Sequence, residues 1–184
     1  MNLYYFYGAL GILLAGYGIF IYNALVALRI RAEASWSDID VQLKRRHDLI
    51  PRLVETVKAY AAYERAIMEA VVQARTQGMR AQGVLDTSRA ENHLTQELKQ
   101  LLAVVENYPD IKADRTFLKL QHELAAAEDA IQNARRYYNA VVRDYNTKIG
   151  SFPDMLIAGP LYFERREYFE LESLGEAEVP KVEW

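Results

Sequence analysis

The sequence predicts an all-α protein, in which an N-terminal transmembrane helix continues into an elongated antiparallel three- to four-helix up-and-down bundle. No charged side chain occurs from Leu3 to Leu28. Through most of the remaining chain, apolar residues recur at alternating steps of three and four. The first pattern is typical of a membrane span, and the second is typical of helices that pack along an apolar seam.

The charge-free stretch is long enough to cross a bilayer. Its roughly 26 residues would reach about 39 Å as a helix, against a hydrocarbon core of about 30 Å. A cleaved signal peptide is the alternative, but such a peptide has a basic start and a shorter apolar run, whereas Met1 and Asn2 carry no side-chain charge. We therefore expect residues 1–30 to remain in the protein as a transmembrane anchor.

Basic residues follow the anchor directly. Arg29 and Arg31 come where the helix leaves the membrane, so we expect them to contact lipid headgroups. Since retained basic residues mark the cytoplasmic side, the sequence predicts an N-terminus outside and a cytoplasmic bundle.

Small residues recur along the anchor. Gly8, Gly11, Ala15 and Gly18 follow one another at steps of three and four, which places them on one helix face. Either glycine is simply frequent in membrane helices, or this face lets two helices approach closely in a homo-oligomer. Both interpretations remain open from the sequence.

Residues 31–150 are expected to form a coiled-coil-like helical bundle. No glycine or proline lies between Ile19 and Ile50, so the membrane helix should continue into water. Pro51 should either kink that helix or restart it, because proline lacks an N–H. The stretch Gly78 to Gly83 predicts a turn, after which Ser88 and Glu91 have the spacing of a capping box at a helix start.

The clearest pattern is the seam of the last long helix. We expect that helix to begin near Asp114, which can cap it, and to finish at Gly150 in a left-handed conformation. Its polar residues Asn139, Arg143, Asp144 and Asn146 are expected to be buried in the seam and to fix helix register. The seam residues are Phe117, Leu120, Leu124, Ala127, Ile131, Ala134, Tyr138, Val141, Tyr145 and Ile149.

Residues 151–184 are predicted to form an apolar segment and an acidic tail. Pro153 and Pro160 interrupt the apolar part, so it cannot be one regular helix. Such a segment either caps the end of its own bundle or docks on a membrane or a second subunit. The sequence leaves these roles open.

Several motifs together resemble the LemA family of bacterial membrane proteins. They are Tyr22-Asn23-Ala24-Leu25-Val26-Ala27-Leu28-Arg29, Trp36-Ser37-Asp38-Ile39-Asp40-Val41-Gln42-Leu43, Asp48-Leu49-Ile50-Pro51, Tyr108-Pro109-Asp110 and Val142-Arg143-Asp144-Tyr145-Asn146. The resemblance covers roughly residues 20 to 170 and implies a single-pass protein of the bacterial inner membrane with an antiparallel helical bundle. It implies no catalytic residues. Gly159-Pro160 departs from the family pattern, in which the apolar stretch continues without interruption.

No residue pattern specifies a reaction, a cofactor or a metal. The net charge of −3 argues against nucleic acid as a partner, and zero cysteines exclude thiolate chemistry. None of His47, His93 and His122 follows a glutamate at three residues, as the Glu-x-x-His pairs of di-iron bundles require. We expect these histidines to be exposed or partly packed, and the charged run 44–48 to be a solvated helix face.

The hypothesis favoured by these patterns is a membrane-anchored scaffold. It would self-associate and either present its cytoplasmic bundle to partners or shape the membrane. An accessory or regulatory subunit of a membrane enzyme, such as a protease, is the alternative. An enzyme of unknown type is a third possibility, which would need a pocket with converging polar groups.

Overall fold

The computed structural model describes residues 2–61 and 63–169. Its helices are α1 (Asn2–Tyr60), α2 (Arg65–Arg80), α3 (Val84–Val105), α4 (Pro109–Ala113), α5 (Arg115–Gly150) and α6 (Met155–Ala158). No strand occurs among these described residues, and the predicted all-α class is confirmed. The acidic tail was predicted to run from Glu164 to Trp184, and its part beyond Phe169 lies outside the described residues.

The chain divides into two units, to which the long helices α1 and α5 both contribute. Among the described residues, we call the part up to Ile39 together with Ala134–Glu167 the anchor unit, and Asp40–Asn133 with Tyr168 and Phe169 the bundle unit. The core of the bundle unit comes from α1, α2, α3 and α5, on which buried apolar residues keep the spacing of three and four. Its members include Ile50, Leu53, Val57, Met68, Val71, Ala74, Leu94, Leu98, Leu101, Val105, Phe117, Leu120 and Leu124.

The anchor unit has a smaller core. Ile21 and Leu25 of α1 pack with Tyr145 and Ile149 of α5 and with Ala158 of α6. Further along α1, the ring of Trp36 meets the ring of Tyr138 edge to face, with 5.4 Å between the centroids. Large aromatic and branched side chains therefore join α1 and α5 in this unit.

Pro51 lies inside α1 and does not end it. Its missing N–H leaves the carbonyl of His47, four residues earlier, without its helical donor. Arg75 of α2 supplies that donor, because its Nε lies 2.7 Å from the His47 oxygen. The helix therefore continues to Tyr60, and of the two alternatives left open for Pro51 the structure excludes a restart.

Helix ends agree with the sequence in some places only. Asp114 caps α5 as predicted, since its Oδ1 accepts a 2.8 Å hydrogen bond from the N–H of Phe117. Gly150 ends α5 but does not take a left-handed conformation, which Gly83 does with φ 79°. The turn before α3 is therefore at Gly83, and Gly78 lies inside α2.

The predicted capping box is also wrong. Helix α3 begins at Val84, four residues before Ser88. Ser88 and Glu91 are both buried within the helix. Glu91 therefore does not face a helix end but the interior of the bundle unit.

Candidate functional site

Arg46 is the more deeply buried of the two buried arginines among the described residues, at 2% exposure. Its guanidinium, on α1, forms an ion pair with Glu91 of α3. The same group donates to Thr95 Oγ1 at 2.9 Å and to Glu128 Oε2 of α5 at 2.7 Å. The guanidinium of Arg46 thus joins three helices. Arginine suits this role because its five N–H donors lie in one rigid plane.

His47 extends this arrangement. Its Nε2 lies 2.8 Å from Glu91 Oε1, while the other carboxylate oxygen of Glu91 faces Arg46. The backbone oxygen of His47 accepts the hydrogen bond from Arg75. We call Arg46, His47, Glu91, Thr95 and Glu128 the Arg46 network.

The charge on Glu91 is held by its neighbours. Burial by itself raises the pKa of this carboxyl. The hydrogen bond with His47 and the positive charge of Arg46 act in the opposite direction and outweigh burial, so the pKa of Glu91 lies below its ordinary value. Glu91 is therefore a carboxylate at neutral pH, and its negative charge faces the positive charge of Arg46.

The contacts of the Arg46 network indicate a structural role. An open cavity of about 320 Å³ adjoins it, lined in part by Asp40, Lys44, His47 and Glu91. Both oxygens of Glu91 are bound to protein partners. A buried ion pair adds little net stability, but its loss is costly, and such pairs can fix which helices meet in which register.

The sequence missed this network. The charged run 44–48 was predicted to be solvated, and His47 to be exposed or partly packed, but Arg46 and His47 are buried. The signal was their position between Leu43 and Ile50 on the apolar face of α1. Charged residues at seam positions stay buried only when an opposite charge meets them, as Glu91 does here.

Gly78 of α2 packs directly against the network. A Cβ built there would press on Glu91 Oε1 and lie 3.1 Å from His47 Nε2. We expect Gly78→Ala to lower the free energy of unfolding by about 1–3 kcal/mol through overpacking, although alanine favours an unhindered helix by about 1 kcal/mol. Thermal unfolding of the detergent-solubilised protein, followed by circular dichroism, measures the change.

Gly150→Ala is the matched control for this substitution. A Cβ at Gly150 would make an ordinary contact of 3.7 Å with Arg165 Nη2, so no loss of stability is expected. A Gly78→Ala protein as stable as the parent would contradict the tight packing of α2 on the Glu91–His47 pair.

The predicted small-residue face of the anchor is open over most of its length. Gly8, Gly11 and Ala15 are exposed, and a Cβ at either glycine would meet no atom within 4 Å. A Cβ at Gly18 would lie 3.4 Å from Ile157 Cδ1. The fourth small residue is therefore covered by the chain itself.

The two predicted headgroup contacts lie just beyond this face. Arg29 is exposed and its Nε is 3.4 Å from Glu33 Oε1, so its charge is partly balanced within α1. Arg31 is exposed as well. Contact of either residue with lipid stays a prediction.

The predicted seam residues of α5 are buried in both units, except Ala134, which is only partly buried. Phe117, Leu120 and Leu124 lie in the bundle unit, and Ile131 is buried on the same helix. In the anchor unit, the buried members are Tyr138, Val141 and Tyr145.

The polar residues of that seam do not all behave as predicted. Arg143 and Asp144 are exposed and face solvent, because they fall between the buried positions Val142 and Tyr145. The side-chain amide of Asn146 forms two hydrogen bonds of 2.9 Å with the backbone of Arg166. Its Nδ2 donates to the Arg166 carbonyl, and its Oδ1 accepts from the Arg166 N–H. It therefore fixes the C-terminal segment, and its predicted role in helix register is corrected.

Helix α1 (the part from Tyr4 to Tyr60) is long and apolar enough to cross a membrane by length and composition, and only 11% of its most apolar window is buried. Among the described residues, no group of three or more His, Cys, Asp or Glu side chains is placed to hold a metal ion. The fold and the exposed span define a membrane-associated helical protein. The LemA family model matches residues 35–184, and the chain belongs to the LemA family.

The chain is also similar to curated proteins, one of which carries the name of this family. Magnetosome proteins MamQ 1 and MamQ 2 of Paramagnetospirillum magneticum are each 28% identical to the chain over 184 aligned positions, covering 86% of it and 68% of each relative. Protein LemA of Metamycoplasma hominis is 24% identical, covering 94% of this chain and 81% of the relative. The resemblance found from the sequence motifs is confirmed.

Proposed function

We propose that this protein is a membrane-anchored, non-catalytic helical scaffold. It spans the bacterial inner membrane once, self-associates, and presents a cytoplasmic bundle to partner proteins or shapes the membrane. The observation that carries the proposal is the exposed N-terminal part of α1, whose apolar side chains from Tyr4 to Phe20 are almost all uncovered by the described part of the chain. Such a surface needs lipid or another apolar helix around it.

The bundle unit also supports the proposal. Its most deeply buried charged side chains bind one another, since Arg46 binds Glu91 and Glu128 while His47 binds Glu91. A network of this kind fixes the arrangement of α1, α3 and α5 and thereby the surface that the bundle offers. A rigid surface costs less conformational entropy when a partner binds.

Self-association is assigned to the open part of the small-residue face. Gly8, Gly11 and Ala15 allow close approach of a second membrane helix, because nothing in residues 2–61 and 63–169 covers them. We expect Gly11→Leu with Ala15→Leu to lower the mass of the protein in lipid nanodiscs or native-like detergent. Bulky side chains at these positions would hold the two backbones apart.

A matched control exists on the opposite face of the same helix. Ala9 and Gly16 lie roughly 140–160° around α1 from Gly11, and both are exposed. Ala9→Leu with Gly16→Leu makes the same two substitution types and should leave the mass unchanged. A strict monomer in lipid, or equal masses for both double variants, would remove self-association through this face.

The alternative is an accessory subunit of a membrane enzyme. It is favoured by an open groove of about 550 Å³ in the bundle unit, whose lining includes the apolar side chains Val54, Met68 and Val72, the basic residues Lys58 and Arg65, and the acidic residue Glu69. An apolar groove with charges of both signs suits an amphipathic helix. A protein that co-purifies at a fixed ratio, and is lost with Val72→Glu, would favour this alternative over self-assembly.

A further inference from the structure

The segment 151–163 exposes large apolar side chains outside the membrane helix. Phe152 is 76% exposed, Leu156 59%, Leu161 50% and Tyr162 86%. Met155 on α6 is half exposed as well. Soluble surfaces rarely group so many apolar side chains in one short segment, and such a patch marks a contact with lipid or protein.

This segment packs against the charge-free part of α1. Ile157 reaches Gly18, Ala158 shares a core with Ile21 and Leu25, and the ring of Phe163 meets the ring of Tyr22 edge to face at 6.0 Å. All of these α1 residues precede Arg29, the first charged residue of the chain. The exposed patch therefore continues the lipid-facing surface of the span.

The length of the span sets the depth of the segment. The 20 residues from Leu3 to Tyr22 reach about 30 Å as a helix, which matches the hydrocarbon thickness. Gly18 lies about 6 Å before Tyr22 along the helix axis. Ile157 is thus level with the region about 5–10 Å below the headgroups, where interfacial helices insert.

The backbone of the segment is suited to a medium of low polarity. The N–H groups of Met155, Leu156, Ile157, Ala158 and Gly159 all donate within the segment, to carbonyls of residues 151–155, at 2.8–3.2 Å. The N–H groups of Tyr162 and Phe163 donate to Gly159 and Ala158. Prolines 153 and 160 have no N–H to satisfy. Lipid offers no hydrogen bonds, so internal pairing of this kind is required there.

Charges near the segment fit a headgroup boundary. Its one charged side chain, Asp154, lies 2.9 Å from Lys148 Nζ, close enough for an ion pair although not aligned as a hydrogen bond. Arg29, Arg31 and Arg165 are exposed on the anchor unit. Exposed arginines of this kind attract anionic lipid phosphates.

We infer that the segment 151–163 inserts into the headgroup and acyl-chain boundary of the bilayer, beside the transmembrane helix of the same chain. It forms a second contact with the membrane, which does not cross the bilayer and in which lipid covers the exposed apolar side chains. This inference rests on the membrane anchoring proposed above. The same insertion adds volume to one leaflet only, which gives the membrane-shaping part of the proposed function a physical route.

Single-cysteine spin labelling tests this in the full chain, which has no native cysteine. Labels at Leu156→Cys and Leu161→Cys report on the segment, and Leu13→Cys reports on the span. Lys119→Cys is the aqueous control, since the Lys119 side chain is 78% exposed on the bundle unit. The proteins are reconstituted in vesicles of phosphatidylethanolamine and phosphatidylglycerol, and collision rates are measured with oxygen, which concentrates in lipid, and with a water-soluble nickel chelate.

We expect labels at 156 and 161 to collide more with oxygen than with the chelate, as at 13, and the label at 119 to show the reverse. If the labels at 156 and 161 collide mainly with the chelate, as the label at 119 does, while the label at 13 collides mainly with oxygen, the insertion is overturned and the anchor stands. Segment labels shielded from both reagents would mean that a second copy or another protein covers the patch, which also overturns it. A label at 13 in water overturns the anchor and the insertion together.

Discussion

Replacing Glu91 with alanine is expected to lower the free energy of unfolding by about 3–5 kcal/mol. Its carboxylate is the buried partner of both Arg46 and His47. Removing it leaves the Arg46 charge at 2% exposure, with Glu128 at the edge of the core, Thr95 and the backbone oxygen of residue 91 as its remaining partners. Breaking a buried pair from one side costs this much because the other charge stays desolvated.

Chemical denaturation of the protein in detergent, followed by circular dichroism, measures this loss. Glu123→Ala is the control, since Glu123 pairs with Lys119 at 3.9 Å on the surface and such pairs contribute about 1 kcal/mol or less. Equal stabilities for the two variants would contradict the Arg46 network.

The same comparison has a defined pH dependence. The folded-state pKa of Glu91 lies below the ordinary value of 4.5, so its stabilising contribution is fully present above that pH. The contribution is lost as the pH falls through the folded pKa. The difference in stability between the parent and Glu91→Ala should therefore shrink in acid.

Deleting residues 3–17 is expected to release the protein from membranes. The side chains from Tyr4 to Tyr17 are exposed, and they supply most of the apolar surface of the span. The deletion keeps Ile21 and Leu25, which pack on α5 and α6, so the helical fold should persist. An alkaline carbonate wash of membranes, followed by immunoblotting of pellet and supernatant, measures the change.

A scrambled variant separates composition from order. The same 15 residues in a different sequence should keep the protein in the washed pellet, because insertion depends on the apolar content of a span of sufficient length. Retention of the deletion variant in the pellet, or a full-length protein in the soluble fraction, would be inconsistent with a membrane anchor.

Periodic apolar patterns made much of the fold predictable. The seam from Phe117 to Tyr145 identified α5 and its buried face, and Asp114 identified its start, because both features act within one helix. The long apolar helix at the N-terminus was predictable for the same reason, since length and absence of charge are properties of one segment. The motifs around Trp36 and Pro51 identified the family.

Features that depend on contacts between distant residues were not predictable. Glu91 lies 45 residues from Arg46 in sequence, and each looked like an ordinary solvated or capping residue within its own helix. Pro51 was interpreted as a possible break because Arg75, which satisfies the His47 carbonyl, is 28 residues from His47. Because the partner is distant in sequence, local chemistry favoured the wrong outcome for Arg46 and Glu91 and left the outcome at Pro51 open.

The side chain of Ile157 over Gly18 limits how two copies of this protein can meet. Two membrane helices reach backbone contact only where small residues are bare, which here means the turns from Gly8 to Ala15. A pair of spans would therefore cross near the middle of the bilayer, on the N-terminal side of Gly18. From Gly18 onward the two helices would have to diverge, with lipid and each copy's own α6 filling the space between them.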